Sequence, residues 1–241
     1  MRIDVANSPD EFDSLAADEV CAAVREKPDA VLGLPSGRTP IGMYLEMARR
    51  AQAGEIDFSQ ARAFAIDELH GVPPSHAATN ASYFSEHAYV LGLHELVVMD
   101  GGAADAEEEC ARFAAAIADA GGLDLVVRGI GANGHLAFNE PGSSFDAPAR
   151  RVALTDESRA PYVAHFGSLE STPSHGLTLG LAEIMSARRA LLLASGAAKA
   201  DAVARALEGP VTEDVPASVL QRHANLTVVL DAEAAAGLSK G

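Results

Sequence analysis

Cysteine is almost missing from this chain. Cys21 and Cys110 are the only two among 241 residues, far apart and in no CxxC or Cys/His spacing. A disulfide framework and a thiolate zinc site are thereby excluded, and a reduced, cytoplasmic setting is the expectation. Positive charge is scarce as well: 18 Lys and Arg face 34 Asp and Glu, for a formal net charge of −16. That field repels polyanions, so nucleic acid is not an expected partner. A small anion is still acceptable, because local N–H groups and one or two cations overcome the global repulsion. No stretch approaches the roughly 18 consecutive apolar residues of a membrane span, and the acidic opening MRIDVANSPDEF has no apolar export segment. Neither membrane nor secretion is expected. Walker A and GxSxG signatures are absent, as are repeats and low-complexity tails.

What the chain does contain is apolar: 48% of its residues are hydrophobic, enough for one sizeable α/β domain over 1–241. Short apolar runs at 2–5, 30–34, 61–66, 95–99, 125–127, 190–194 and 226–230 predict strands. Helices are predicted over 8–26, where Ser8 and Glu11 are spaced as a capping box, and over 41–53, with Thr39 as N-cap and Pro40 in the first position. Others fall near 80–87, 103–120, 179–185, 197–207 and 217–222. This alternation implies βαβ crossovers and a doubly wound, mostly parallel sheet with helices on both faces, a Rossmann-like three-layer sandwich. Residues 146–175 have scattered Pro and Gly and little periodicity; a short helix within a mobile flap over the site is expected there.

Four predicted strand ends carry polar loops, and in a parallel sheet such ends converge on one edge. After Leu125-Val126-Val127 comes GIGANGH, with Gly129, Gly131 and Gly134 within six positions. These glycines allow positive φ and close backbone approach, and they bring His135, then Asn139-Glu140-Pro141, to the strand mouth. Glu140 can orient and charge the imidazole; a structural loop holding a partly buried histidine has the same pattern. PSGRTP after Leu34 offers the hydroxyls of Ser36 and Thr39, backbone approach at Gly37 and a helix N-terminus. It is an anion cradle or a plain N-cap turn. SGAAK repeats the pattern with Lys199, one of three lysines and either a point charge for phosphate or a solvated surface residue. Asp67 and Glu68 end an apolar run. In a cleft, one of two adjacent carboxylates gains a raised pKa and serves as a base, whereas at a surface the pair caps a helix or is simply solvated. Nothing here calls for a metal or a cofactor.

The pieces LGLPSGRTP (32–40), FAIDELHGV (64–72), GIGANGHLAFNEPGSSF (129–145), LTLG (177–180) and SGAAKADAV (195–203) together resemble the glucosamine-6-phosphate deaminase (isomerase) family, in order and across essentially the whole chain. That family shares its fold with 6-phosphogluconolactonase. The lactonases are similar up to the Gly-His but lack FNEP, so GHLAFNEPGSS is the most specific run. The resemblance implies a cytoplasmic enzyme of amino-sugar catabolism, monomer or homo-oligomer, that converts glucosamine 6-phosphate and water into fructose 6-phosphate and ammonia. By position it implies Asp67 as the base that moves a proton from C2 to C1. His135 then assists ring opening, paired with Glu140 and flanked by Asn133. Ser36, Gly37, Arg38, Thr39 and Lys199, with Glu68, are implied to hold the sugar phosphate.

Two departures from the family stand out. Asn133 occupies a position where some members have aspartate, though asparagine also occurs there. No arginine falls near Ala164 and His165, where hexameric members bind phosphate, which leaves Arg38 or Arg159 to replace it. Arg150 matches half of a basic pair that binds an activator in some members, but Val152 replaces the lysine, so activation by N-acetylglucosamine 6-phosphate is not expected. Other readings are a deaminase for galactosamine 6-phosphate, a lactonase that uses His135 without Glu140, and a non-catalytic sugar-phosphate binding module.

Overall fold

Leu125 and Val127 pack with Leu32, Leu34, Leu191 and Leu193 on one side of a sheet, while Val126 packs with Leu192, Val228 and Leu230 on the other. Side chains alternate across a strand, so a run that is apolar at every position belongs to a sheet covered on both faces. The computed structural model describes residues 1–239. In chain order its strands are β1 (Arg2–Ala6), β2 (Val31–Leu34), β3 (Arg62–Ala65), β4 (Asp67–Leu69), β5 (Glu95–Val97), β6 (Leu125–Gly129), β7 (Arg150–Ala153), β8 (His175–Thr178), β9 (Arg189–Ala194) and β10 (Leu226–Asp231). Between them lie the helices α1 (Pro9–Glu26), α2 (Ile41–Gln52), α3 (Asn80–His87), α4 (Ala106–Asp119), α5 (Asp156–Arg159), α6 (Val163–Phe166), α7 (Leu181–Ser186) and α8 (Ala200–Leu207).

Seven strands form one parallel sheet in the order β1-β10-β9-β6-β2-β3-β5, as the strand–helix alternation predicts. Phe12, Val20, Met43, Met47 and Phe84 from α1, α2 and α3 cover one face; Phe113, Ile117, Ile184 and Val203 from α4, α7 and α8 cover the other. From β2 the chain steps outward through β3 to β5, and from β6 it steps the opposite way through β9 to β10. The winding therefore reverses between β2 and β6. Open α/β sheets bind ligands outside the strand carboxyl ends at such a reversal.

A second sheet, β4-β8-β7, is antiparallel, and the sequence patterns do not announce it. The Ile66 N–H still donates to Leu34 O (3.4 Å), but Ile66 O accepts from Leu179 N–H (2.9 Å). The chain thus leaves the main sheet at Ile66 and enters the second with Asp67, which makes Asp67 and Glu68 strand residues and not a loop. The stretch expected as a flap holds β7, α5 and α6 and runs into β8.

Helix starts follow local chemistry. Ser8 Oγ accepts from Glu11 N–H (3.2 Å), as expected, but the Glu11 carboxylate reaches back to Asn7 N–H (2.7 Å) and so closes a longer box. Thr39 is not the N-cap of α2: Pro40 is, with no side-chain bond, because a turn from Arg38 O to Ile41 N–H (3.3 Å) already leads the chain into the helix. The Thr39 hydroxyl is thereby left for other partners. No helix among the described residues is long and apolar enough to cross a membrane.

Candidate active site

A cleft of about 1380 Å³ opens at the carboxyl edge of the parallel sheet. Loops after β2, β6 and β9 bring Ser36, Arg38, His135 and Lys199 into its wall, the start of β4 brings Asp67, and the segment after β7 adds Ser158 and Tyr162. Loops far apart in sequence meet at one edge because all these strands run parallel.

Asp67 reaches the cleft from the first position of β4 and is 8% exposed. Asn80, the first residue of α3, donates from Nδ2 to Asp67 Oδ1 (2.7 Å) and also to the Asp67 carbonyl. Burial pushes the Asp67 carboxyl up, while the charge of Arg128, the Asn80 bond and His135 pull the other way. Glu68 points elsewhere. It is 2% exposed and does not line the cleft; its oxygens accept from Leu69 N–H (2.8 Å) and Asn80 N–H (2.9 Å), fastening β4 to the start of α3. Burial raises it to about 7. The structure thus gives Glu68 a framework position beneath Asp67.

His135 follows the glycine loop of β6. A Cβ on Gly131 would lie 2.3 Å from the imidazole, so the ring packs directly on glycine backbone. Its Nδ1 is 3.5 Å from Glu140 Oε2 and 3.4 Å from Ser158 Oγ. Glu140 lies behind the ring, not on the cleft wall, and accepts further bonds from Asn133 Nδ2 (3.0 Å) and Thr155 Oγ1 (3.0 Å). Burial favours its neutral form, but His135, Ser158 and Asn133 outweigh that and hold it at about 2. An ionised partner on Nδ1 fixes the tautomer and leaves Nε2 as the nitrogen able to exchange a proton with a ligand. Asn133 also accepts from His135 N–H (3.0 Å), so it braces this pair without entering the cleft. The rest of FNEP is an anchor. Phe138 N–H donates to Thr178 Oγ1 (3.2 Å), and the buried Asn139 amide donates to Leu179 O (2.8 Å), tying the histidine loop to the second sheet.

The PSGRTP loop is held from behind by two phenols: Tyr44 OH donates to Pro35 O (2.7 Å) and Tyr83 OH to Gly37 O (2.8 Å). Gly37 takes φ +99°, open only to glycine at low cost. Among the described residues nothing accepts from the N–H groups of Gly37, Arg38 and Thr39, so these donors at the head of α2 are available to an anion. The SGAAK loop is different from the expected second cradle. Its Gly196 and Ala197 N–H groups already donate to Asp231 (2.8 Å) and Glu233 (3.1 Å), leaving the Lys199 ammonium as its contribution. Of the two arginines considered for phosphate, Arg38 lines the cleft. Arg159 instead donates to the carbonyls of Thr172 (2.9 Å) and Leu169 and to Asp156 (3.1 Å), clasping the segment after β7. Arg150 bonds Asn139 Oδ1 (2.8 Å) and Ser143 Oγ (3.1 Å), away from the cleft.

Nothing in the sequence marks Tyr162, Asn80 or Arg128. Tyr162 lines the cleft, and its phenol is pushed up by burial and then by the charges of Asp67 and Glu68. Arg128 lies inside β6, 1% exposed, with no partner for Nε or either Nη. Among the described residues no three His, Cys, Asp or Glu side chains are grouped to hold a metal ion.

Known proteins match this arrangement over nearly its whole length. The chain is 43% identical to a glucosamine-6-phosphate deaminase of Rhodococcus jostii, over 99% of this chain and 93% of that one. It is 42% identical to one of Mycolicibacterium smegmatis, covering 98% and 92%. A solved monomeric glucosamine-6-phosphate deaminase superposes with a TM-score of 0.93 at 35% identity, covering 98% of this chain and all 100% of that one. A 6-phosphogluconolactonase from Shewanella baltica shares the fold at 19% identity, TM-score 0.77, covering 96% and 98%. Residues 7–229 match the family described as glucosamine-6-phosphate isomerases/6-phosphogluconolactonase, and the chain belongs to that family.

Proposed function

We propose that this protein is a glucosamine-6-phosphate deaminase that turns glucosamine 6-phosphate and water into fructose 6-phosphate and ammonia. One observation carries the reading: a buried carboxylate, Asp67, and a carboxylate-paired imidazole, His135, share a cleft whose neighbouring wall presents unoccupied N–H donors and Lys199. An aldose–ketose isomerisation needs a base at C2 and a proton donor at the ring oxygen, and these two groups supply them.

In this mechanism the sugar phosphate is held by the N–H groups of Gly37, Arg38 and Thr39, the hydroxyls of Ser36 and Thr39, and the cations of Arg38 and Lys199. His135 Nε2 delivers a proton to the ring oxygen and takes up the one released by the anomeric hydroxyl as the pyranose opens to the aldehyde. Asp67 removes the C2 proton as the substrate ammonium gives one to O1, forming an enolamine, and Asp67 then returns its proton to C1. The resulting C2 iminium adds water and expels ammonia, leaving the ketose phosphate. Glu140 stabilises the imidazolium whenever His135 carries the proton.

A coupled assay for ammonia and ketose phosphate across glucosamine, galactosamine and mannosamine 6-phosphates tests the proposal. Release of both products from the gluco epimer in equal amounts is expected. Hydrolysis of 6-phosphogluconolactone without ammonia release from any amino sugar would replace it with the lactonase reading.

A further inference from the structure

We propose that Arg128 is the buried counter-charge of Asp67, a positioning residue that keeps the base ionised without occupying its oxygens. This rests on Asp67 being the base.

The geometry begins with the sheet. β6, β2 and β3 are neighbours, with Gly33 registered on both Val126 and Phe64. A Cβ on Gly33 would lie 3.0 Å from Val126 Cγ2 and 3.5 Å from Ile66 Cγ2, so those two side chains share one face across a glycine gap. Side chains two apart on a strand share a face, so Arg128 projects from this one too, as does its registered partner Leu192. Arg128 and Ile66 are each two residues beyond a partner of Gly33, about two strand spacings apart, roughly 10 Å between backbones. An extended arginine crosses most of that gap, and Asp67 is the residue after Ile66.

That face is otherwise apolar: Ile66, Val126, Leu136 and Leu192 belong to its core. A guanidinium stays charged there, since burial lowers it only to about 9. Among the described residues it has no hydrogen-bond acceptor and no ion pair, and Asp67 is the one charged group that acts on it. A lone buried cation is costly to the fold, so its presence calls for a role. Asp67 supplies the need. It is buried with a single amide donor, and the groups facing it are Arg128 from β6, His135 from the glycine loop, Glu68 on its own strand, Tyr44 from α2 and Tyr162 from the segment after β7. Without a nearby positive charge, burial favours the acid form, which cannot take a proton from C2. Because the guanidinium makes no direct bond to the carboxylate, the lone pairs stay free for substrate.

The test compares wild type, Arg128→Met and Arg128→Lys. It follows the Asp67 carboxyl by carbon NMR across pH in the unliganded enzyme, alongside the pH profile of kcat/KM. Arg128→Met is expected to raise the Asp67 midpoint and the acid limb of kcat/KM together by about one pH unit or more. Arg128→Lys, with a shorter reach, is expected to give an intermediate shift. A melting temperature that holds or rises in the Met variant fits a cation kept for electrostatics. A lower melting temperature with an unmoved midpoint overturns the proposal, because a purely structural role predicts that pattern. If the Met variant does not fold, Arg128→Gln removes the same charge, and an unmoved midpoint there is decisive in the same sense. Asp67→Asn separates the two layers: near-normal turnover there removes Asp67 as the base, whereas the NMR midpoint tests the charge pairing whatever the chemistry.

Discussion

Asp67 is held still by Asn80 and surrounded by groups that set its charge, yet it faces open cleft. Asp67→Asn keeps the shape and removes only the basicity, so kcat is expected to fall about 10²- to 10⁴-fold with KM little changed. Near-normal turnover in steady-state kinetics would remove this residue from the mechanism. His135 depends on an absent atom: a methyl group at Gly131 would overlap its ring, so Gly131→Ala is expected to swing the imidazole away and lower kcat roughly 100-fold. Equal kcat in wild type and variant would show that the ring position does not matter. Several of these residues are legible in the amino-acid sequence alone. A histidine after three glycines and a carboxylate pair after an apolar run are rare punctuation, and their chemistry follows from residue type. Glu68 and Asn133 are legible only to the level of neighbourhood: adjacent strand residues face opposite ways, and a turn residue such as Asn133 can face the cleft or brace the loop from behind. Arg128 and Tyr162 are not legible at all. An arginine ending an apolar run looks like a strand meeting solvent, and only the covering layers reveal that it is buried.

The same contrast holds for elements. Parallel strands and helices declare themselves through apolar runs and capping residues, and the seven expected strands take their places in one sheet. The antiparallel sheet is silent in the sequence because β4 (DEL), β7 (RRVA) and β8 (HGLT) contain no continuous apolar run, and their pairing partners lie far away along the chain. Where the sequence suggests a mobile flap, the structure shows a segment tied down at both ends by strand pairing and in the middle by Arg159. Its looseness then depends on that clasp. Arg159→Ala removes charged hydrogen bonds to two carbonyls, and the opening free energy of residues 156–172 is expected to fall by about 2 kcal/mol in hydrogen-exchange measurements. KM should rise with it, since Ser158 and Tyr162 ride on this segment. Unchanged exchange rates would mean that strand pairing alone holds the segment shut.

For the whole molecule, the site leaves its mark on stability against pH, through two buried glutamates shifted in opposite directions. Glu140 is held at about 2 in the fold against an ordinary value of 4.5. Its stabilisation is complete above the unfolded value and disappears as pH falls through the folded one, about 3 kcal/mol in all. Glu68 is raised to about 7 from 4.5. The fold prefers its neutral form, so the corresponding stability is full below the unfolded value and is lost as pH rises through the folded one, again about 3 kcal/mol. Glu46, held at about 2 by Arg49 and Arg50, adds to the acid side. The melting temperature should therefore peak near about pH 5, drop steeply towards pH 2, decline more gently to about pH 7 and then level off. Calorimetry across pH 3 to 8 on two variants assigns the limbs. Glu140→Gln is expected to flatten the acid side, and Glu68→Gln to remove the decline towards pH 7. A wild-type curve that is level from pH 5 to 7 would mean that Glu68 ionises freely, and that the platform under Asp67 is less dry than its burial implies.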